Sequence, residues 1–174
     1  YDIEPYSPIL DAVVGRAGVV FHTAKKAYTT RFIGAPFYYE QGQEIGDSST
    51  PISAASIVSA GDNIMWVSEN GWWAFNGVSV QPVDCHVWSF VKDNINNLYS
   101  RYEACLIDIT VKSEMWWFYV SEDARYNDLA IVFNYRDGWW AMHKISRTCG
   151  SGSSYTTFPI MSDGEKIFLH EKGE

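Results

Sequence analysis

A chain of 174 residues is long enough to bury one hydrophobic core without disulfide or metal support. Its composition, 47% apolar and 20% charged, excludes a disordered polar tail, and no apolar run is long enough to span a bilayer. The net charge of −8 argues against tight nonspecific binding of nucleic acid, which depends on Lys and Arg at the phosphates. The 8 Trp, 11 Tyr and 9 Phe favour an all-β fold, because aromatic side chains suit pleated, half-buried strands.

The cysteines and the chain ends give two further expectations. Cys85, Cys105 and Cys149 are widely spaced, which predicts reduced thiols rather than a disulfide framework. The sequence opens on Tyr1 without a secretory signal and ends without a closing element. We therefore expect one domain over residues 1–174 that is a segment of a longer protein.

The first part of the chain predicts a hairpin. Two β-rich runs, at residues 13–22 and 27–32, flank the polar tetrapeptide 23–26. Residues 36–41 are a candidate third strand. The Gly, Gln, Asp, Ser and Thr content of residues 42–51 predicts a loop.

The clearest supersecondary pattern covers residues 57–80. Very short β-rich runs alternate there with turn sequences at 61–63, 69–71 and 76–77. The Asn-Gly pairs in the last two supply the positive φ that a tight hairpin turn requires. The pattern predicts a meander of three or four short strands.

One amphipathic helix is predicted at about residues 84–99, and it is the only helix we expect. Apolar residues recur there at spacings of three and four, which is helical periodicity. Asp84, which follows closely on Pro82, is the predicted N-cap. The apolar positions are Val87, Phe90, Val91, Ile95 and Leu98.

The second half of the chain returns to short β-rich runs. Its Ser- and Gly-rich segment 149–154 predicts a loop, and the runs 156–161 and 166–170 predict a hairpin after it. Four strands are predicted before that loop, at residues 104–111, 115–120, 129–135 and 139–142.

Two segments match each other in residue type, position for position: residues 70–75 (NGWWAF) and 137–142 (DGWWAM). Repeated strand-turn-strand units are typical of repeat architectures, and β-propeller blades carry glycine and aromatic motifs in each hairpin. We predict β-propeller-like blades of short antiparallel strands, with an irregular β-sandwich as the alternative. A closed ring and a segment of a larger propeller both remain open. The blade-like units are expected at residues 19–39, 57–80, 104–142 and 155–170.

The tryptophan pairs of the repeated motif are the candidate site. Strand alternation turns one ring of each pair inward, where it packs between sheets. The outward rings suit a contact with another subunit or a platform on which a sugar stacks. The candidate interface or stacking residues are Trp72, Trp73, Trp139 and Trp140.

Catalytic and metal chemistry finds little support in the sequence. The histidines lack the second-ligand spacing of a metal site, and Cys85 and His86 are adjacent. Residues 150–154 lack the G-x-S-x-G order of a nucleophile elbow. Carboxylates such as Asp108 and Glu114 are abundant, yet the sequence sets none opposite another. We expect no catalysis, no metal and no cofactor. An unrecognised hydrolase, with a concave cluster of carboxylates of perturbed pKa, is a remaining alternative.

A series of aromatic and turn motifs follows in order along the chain. The motifs are 56–58 (SIV), 65–67 (MWV), 70–77 (NGWWAFNG), the predicted helix with 94–96 (NIN), 116–119 (WWFY), 127–135 (NDLAIVFNY), 138–140 (GWW) and 170–173 (HEKG). Together these motifs resemble the tail-nozzle proteins of short-tailed bacteriophages, a group that includes the packaged-DNA stabilisation protein. The resemblance runs from about Val19 to the C-terminus. The family's members are longer than this chain, so no interface residue is carried over.

The resemblance implies a β-propeller subunit that, in the full-length protein, forms a homo-oligomeric ring below the portal of the virion. Such a ring extends the DNA channel, helps to retain the packaged genome and receives the distal tail parts. The implied partners are other tail subunits, on the adaptor or portal side and distally, and DNA that passes transiently through the channel, with no membrane.

We therefore expect a noncatalytic structural protein of the virion tail, made in the host cytoplasm, whose negative charge lets DNA slide past. The alternative is a glycan-binding propeller or adhesin module that uses exposed Trp and Tyr.

Overall fold

The computed structural model of the protein describes residues 7–16, 18–36, 38–40, 43–45, 50–152 and 158–170. The chain divides into two compact units, Tyr1–Asp84 and Cys85–Glu174. The all-β prediction is confirmed: in these residues the strands form five sheets in which every pairing is antiparallel, and the helices are short.

The first unit contains two four-stranded sheets and one two-stranded sheet. Sheet 1 has the order β1-β2-β3-β6, sheet 2 is the pair β4-β5, and sheet 3 has the order β10-β9-β8-β7. The strands are β1 (Ile9–Gly15), β2 (Gly18–Thr23), β3 (Ala27–Thr30), β4 (Phe32–Gly34), β5 (Tyr38–Tyr39), β6 (Gln43–Glu44), β7 (Ile57–Ala60), β8 (Asn63–Ser68), β9 (Gly71–Phe75) and β10 (Val80–Val83).

The predicted hairpin around residues 23–26 is confirmed, because it joins β2 to β3. The Thr23 hydroxyl accepts a hydrogen bond from the backbone N–H of Lys26 at 3.0 Å and fixes the turn. Residues 42–51 were predicted to be a loop, and this is wrong for Gln43–Glu44. These two residues form β6 and complete sheet 1 by pairing with β3, a long-range contact that their polar composition does not encode.

Sheets 1 and 3 enclose the core of the first unit. β1 lies beside β7, so the first strand of one sheet is next to the first strand of the other. The side chains packed between sheets 1 and 3 include Trp66, which is fully buried. The buried cluster is Val20, Ile57, Ile64, Trp66 and Phe75.

The second unit contains a four-stranded and a three-stranded sheet. Sheet 4 has the order β11-β12-β13-β14 and sheet 5 the order β15-β16-β17. A 3₁₀ turn, Thr110–Lys112, joins β11 to β12. The elements are α1 (Trp88–Asn94), α2 (Asn97–Glu103), β11 (Cys105–Ile109), β12 (Glu114–Tyr119), β13 (Leu129–Asn134), β14 (Trp140–Lys144), β15 (Cys149–Ser151), β16 (Ile160–Ser162) and β17 (Ile167–Leu169).

The prediction of a single helix at about residues 84–99 is wrong, because the segment breaks into α1 and α2. Ile95 is extended (ψ 134°) and forms an isolated β-bridge with Ser121. Asn96 then accepts a hydrogen bond from the N–H of Tyr99 and begins the second helix. Asp84 is not the N-cap, since α1 begins after Val87 without any side-chain cap.

Sheets 4 and 5 enclose the core of the second unit, and β11 lies beside β15, again first strand next to first strand. The backbone at Gly152 lies so close to β11 that an added Cβ would overlap the carbonyl oxygen of Asp108. The predicted loop at 149–154 is therefore wrong for Cys149–Ser151, which forms β15. The buried cluster is Cys105, Ile107, Ile109, Phe118, Ala130 and Met161.

The first predicted blade-like unit, residues 19–39, overlaps both sheet 1 and sheet 2, whereas the other three overlap sheets 3, 4 and 5 in chain order. Residues 155–157 of the last predicted unit lie outside the described residues. Arrangement of these sheets as blades of a propeller stays a prediction.

Candidate functional site

The first tryptophan pair lies in β9 and is largely covered. Trp72 is only 1% exposed. Trp73 is half-buried against the core of the first unit, and its Nε1 donates to the Ser68 hydroxyl at 3.1 Å. The same hydroxyl accepts from the N–H of Asn70 at 3.0 Å. These contacts place Trp72 and Trp73 in the structure of the hairpin rather than on a free surface.

The second pair is more open. Trp139 precedes β14 and is 41% exposed. Trp140 begins β14 and stacks on Phe133, with ring centroids 4.2 Å apart and an interplanar angle of 19°. Of the four predicted residues, Trp139 alone presents a substantially exposed ring. Trp72 and Trp73 belong to the first unit, and Trp139 and Trp140 belong to the second.

Another exposed aromatic group in the first unit was not selected as a candidate site from the sequence. It is sheet 2, the short hairpin formed by β4 and β5. The rings of Phe32 and Tyr39 meet edge to face at 5.6 Å. Phe32 is 65%, Ile33 49%, Tyr38 58% and Tyr39 62% exposed.

The stem of this hairpin is fixed by polar contacts. The Arg31 guanidinium and the Glu40 carboxylate form an ion pair at 2.6 Å, and the N–H of Glu40 donates to the Arg31 carbonyl at 2.8 Å. Thr30 donates its hydroxyl to the carbonyl of Glu40. Tyr38 has a φ of +52°, in a region of backbone conformation that residues other than glycine rarely adopt. The described residues of the hairpin therefore present apolar side chains to solvent from a stem that polar contacts hold together.

A second aromatic group lies where sheets 4 and 5 meet. Trp116 stacks on His143 at 5.0 Å and meets His170 edge-on at 6.4 Å. Its Nε1 donates to the Glu114 carboxylate at 3.1 Å. Nε of Arg147 donates to Nε2 of His170 at 2.8 Å. These groups already satisfy one another, so they contribute to packing of the two sheets.

The hydrolase alternative called for a cluster of carboxylates with perturbed pKa. Burial raises the pKa of Asp108, while the hydroxyls of Thr110 and Tyr135 oppose the rise by hydrogen bonding to it. Asp108 pairs with Met115 across β11 and β12, and Glu114 pairs with Ile109. Since directly opposite residues share a face and successive residues alternate, the two carboxylates lie on opposite faces of sheet 4. This geometry does not support a catalytic carboxylate pair.

The Cys105 thiol is not an activated nucleophile. Burial, with smaller contributions from the negative charges of Cys149 and Glu103, raises the pKa of Cys105 to about 12. Cys85, Cys105 and Cys149 are not joined in disulfides. Within the described ranges, no three His, Cys, Asp or Glu side chains group closely enough to hold a metal ion.

No family model matches the chain, and a search of curated proteins gave no match. For the residues that the structure describes, none of the helices has the length and apolar character needed to cross a membrane.

Proposed function

We propose that this chain is a noncatalytic structural component of a bacteriophage tail, part of a nozzle ring that extends the DNA channel. The resemblance to tail-nozzle proteins gives the biological setting, and the antiparallel sheets are compatible with the β-propeller fold of that family. In both units the first strand of one sheet lies beside the first strand of the next, β1 by β7 and β11 by β15. Neighbouring blades in a propeller meet in this way around its axis.

The β4–β5 hairpin is the observation that carries the assembly role. A fixed hairpin loses little conformational entropy when it docks, so its exposed apolar side chains are preorganised for a protein contact. Burying a large apolar side chain yields roughly 1.5–3 kcal/mol, and Phe32 and Tyr39 each offer such a surface. Aromatic anchors of this kind dominate the binding energy of protein interfaces.

The net charge supports the second part of the proposal, passage of DNA without adhesion. The chain carries 13 basic and 21 acidic residues. Few cations are therefore available to neutralise phosphates, and the average field repels the duplex. Nanomolar, salt-sensitive binding of duplex DNA by the isolated chain would contradict this part.

Sedimentation velocity of the purified chain tests assembly through the hairpin. We expect ring-sized oligomers for the native sequence and a monomer for the double variant Phe32→Ser/Tyr39→Ser. The matched control is Val78→Ser, because Val78 is 89% exposed in the same unit but lies in the turn between β9 and β10. A native chain that stays monomeric at every concentration, or variants that all assemble equally, would overturn the proposal.

A second candidate, a glycan-binding module, is favoured by one observation, the exposed ring of Trp139 beside the stacked Trp140 and Phe133. A glycan array compares it directly with the structural proposal. The structural role predicts no reproducible binding. Hits that disappear in Trp139→Ala but persist in Trp73→Ala, where the ring is half-buried, would favour the glycan-binding module.

A further inference from the structure

Four steps in the chain join an asparagine or aspartate to a glycine. At such a step the backbone nitrogen of the glycine can attack the side-chain carbonyl carbon (Cγ) of the preceding residue and close a five-membered imide, because glycine has no Cβ in the way. The nitrogen must lose its proton to attack, so an N–H that donates a hydrogen bond is protected until that bond opens. The four steps are Asn70-Gly71, Asn76-Gly77, Asp137-Gly138 and Asp163-Gly164.

Hydrogen bonds protect both aspartate steps. The N–H of Gly138 donates to the carbonyl of Asn134 at 2.8 Å, and the N–H of Gly164 donates to the hydroxyl of Ser162 at 3.0 Å. An ionised carboxylate is also a poorer electrophile than an amide, because its charge repels an anionic nitrogen. Neither aspartate step is therefore favoured for imide formation.

The Asn70-Gly71 step is protected by the ladder between β8 and β9. On the side of β7, the N–H of Val67 donates to the carbonyl of Ser56 at 3.0 Å, and the carbonyl of Val67 accepts from the N–H of Ile52 at 2.8 Å. Backbone groups alternate in direction along a strand, so those of Ser68 face its partner Gly71. The N–H of Gly71 is therefore directed at the Ser68 carbonyl, and the residue is buried.

The Asn76-Gly77 step differs in its backbone. It begins the turn 76–79 between β9 and β10. The N–H of Asn76 donates to the carbonyl of Ser79 at 3.3 Å, whereas no group in the described part of the chain accepts a hydrogen bond from the N–H of Gly77. Asn76 is exposed and Val78 is 89% exposed, so water reaches the step.

The side chain of Asn76 is held beside this unbonded N–H. Its Oδ1 accepts hydrogen bonds from the N–H groups of Val78 and Ser79, both at 2.9 Å. These bonds bend the side chain towards the residues that follow it, which brings Cγ alongside the intervening Gly77 nitrogen. Donors at a carbonyl oxygen also stabilise the negative charge that the oxygen acquires when its carbon is attacked. The turn therefore supplies an available nucleophile and a polarised electrophile.

We propose that Asn76 is a site of spontaneous deamidation through a succinimide formed with the backbone nitrogen of Gly77. The nitrogen forms a bond to Cγ, the bond from Cγ to the side-chain nitrogen breaks, and the side-chain NH₂ leaves as ammonia with the proton that Gly77 loses. Water then opens the imide at either carbonyl and gives aspartate or isoaspartate. One water is consumed and one ammonia released, so the reaction requires no enzyme, oxidant or cofactor.

The modification changes the turn between β9 and β10. Each event adds one negative charge, and isoaspartate also adds one methylene to the backbone. Phe75 and Val80, which flank the turn, pair with each other and belong to the packed core of the first unit. The proposal stands on this turn alone and does not depend on the phage assignment.

Peptide mapping by mass spectrometry tests the proposal on the full chain. The folded protein is incubated at mildly alkaline pH in water enriched in heavy oxygen and then digested in ordinary water, so that only product formed before digestion carries the label. Asn70 is the internal control, because it also precedes a glycine and is exposed. A parallel incubation in denaturant removes the fold. Asn76→Gln keeps the amide but requires a larger ring.

We expect Asn76 to convert at least about tenfold faster than Asn70 in the folded chain, because the N–H of Gly71 becomes available only when its hairpin opens. The two rates should converge in denaturant, and Asn76→Gln should abolish conversion at position 76 without changing that at Asn70. Conversion of Asn70 as fast as that of Asn76 in the folded chain would overturn the proposal. An unreactive Asn76 in the folded chain, or a rate ratio that denaturant leaves unchanged, would overturn it as well.

Discussion

The two Gly-Trp-Trp-Ala hairpins share their sequence but not their environment. In the first, Trp72 is 1% exposed inside β9, and in the second, Trp139 is 41% exposed outside β14. The difference originates in the turns. Ser68 pairs with Gly71, so the first turn has two residues. The N–H of Asn134 donates to the carbonyl of Trp139 across a longer turn.

The length of the turn thus decides which residues of the shared sequence lie within the strand and which residues they pair with. Gly71 is the first residue of its strand and has a φ of +134°, whereas Gly138 lies within the second turn and has a φ of +75°. Trp72 consequently sits opposite Val67 in a covered strand. The lesson is that a repeated motif predicts a repeated hairpin, while the role of each side chain depends on its register.

The largest expected effect is a difference in the free energy of unfolding when a tryptophan is removed from one hairpin or the other. Trp72→Ala removes a fully buried ring and should lower the free energy of unfolding by about 3–5 kcal/mol. Trp139→Ala removes a ring that is 41% exposed and should cost less than about 1.5 kcal/mol. Urea denaturation followed by circular dichroism measures both. Equal losses would contradict the structural distinction.

The second prediction concerns pH and the core beneath the first hairpin. His22 is buried, meets Trp66 edge-on at 4.8 Å, and burial lowers its pKa to about 4. Because an unfolded histidine titrates near 6.5, the unfolded chain takes up the proton first. Stability from neutral His22 is therefore present above about pH 6.5 and is lost as the pH falls towards 4, about 3 kcal/mol in total.

Unfolding free energies at pH 7 and pH 4.5 test this dependence, with His22→Gln as the variant that removes the group. The variant should lose much less stability than the native chain over this interval. The matched control His143→Gln replaces an exposed histidine in the second hairpin. An unchanged pH dependence in His22→Gln would exclude the role given to His22.

Asparagine substitutions of the two glycines should give a smaller contrast. Asn tolerates the left-handed region near the φ of Gly138, and nothing lies within 4 Å of a Cβ placed there. The φ of Gly71, +134°, lies outside the region that Asn adopts. Gly71→Asn should cost about 2 kcal/mol and Gly138→Asn less than about 0.5 kcal/mol in thermal or urea unfolding. The reverse order would show that the two turns have been misassigned.

The smallest expected effect lies in the longer turn. The Asn134 side chain accepts hydrogen bonds from the N–H groups of Arg136 at 3.1 Å and Asp137 at 2.8 Å. Asn134→Ala should therefore cost about 1–2 kcal/mol. Asn70→Ala, in the short turn, changes an exposed side chain and should cost less than about 0.5 kcal/mol. Differential scanning calorimetry would resolve this pair, and similar costs would argue against a side-chain role in the longer turn.

Local patterns in the sequence were enough to predict the all-β class and hairpins such as the one around residues 23–26. Features that depend on distant contacts were missed. The helical periodicity of residues 84–99 is real, yet Ile95 leaves the helix to bridge Ser121, which is remote in sequence. Gln43–Glu44 joins sheet 1 only through pairing with β3.

The candidate site shows the same limit. Alternation alone predicts one inward ring in each tryptophan pair, but it does not predict that Trp73 is also half-buried. Residues 36–41 were expected to contain a third strand. The structure pairs Tyr38–Tyr39 with Phe32–Gly34 in a separate hairpin, and residues 37 and 41 lie outside the described part. The Arg31–Glu40 ion pair stabilises that hairpin, but the sequence does not reveal it, because the two residues meet only when the strands are paired.

Hydroxyl-radical footprinting of the assembled and dissociated protein tests most directly whether the β4–β5 hairpin, rather than a tryptophan pair, forms the assembly contact. Phe32, Tyr39 and Trp139 are all exposed enough in the single chain to react. The account predicts that assembly lowers the oxidation of Phe32 and Tyr39 and leaves that of Trp139 unchanged. Protection of Trp139 with undiminished oxidation of Phe32 and Tyr39 would contradict it.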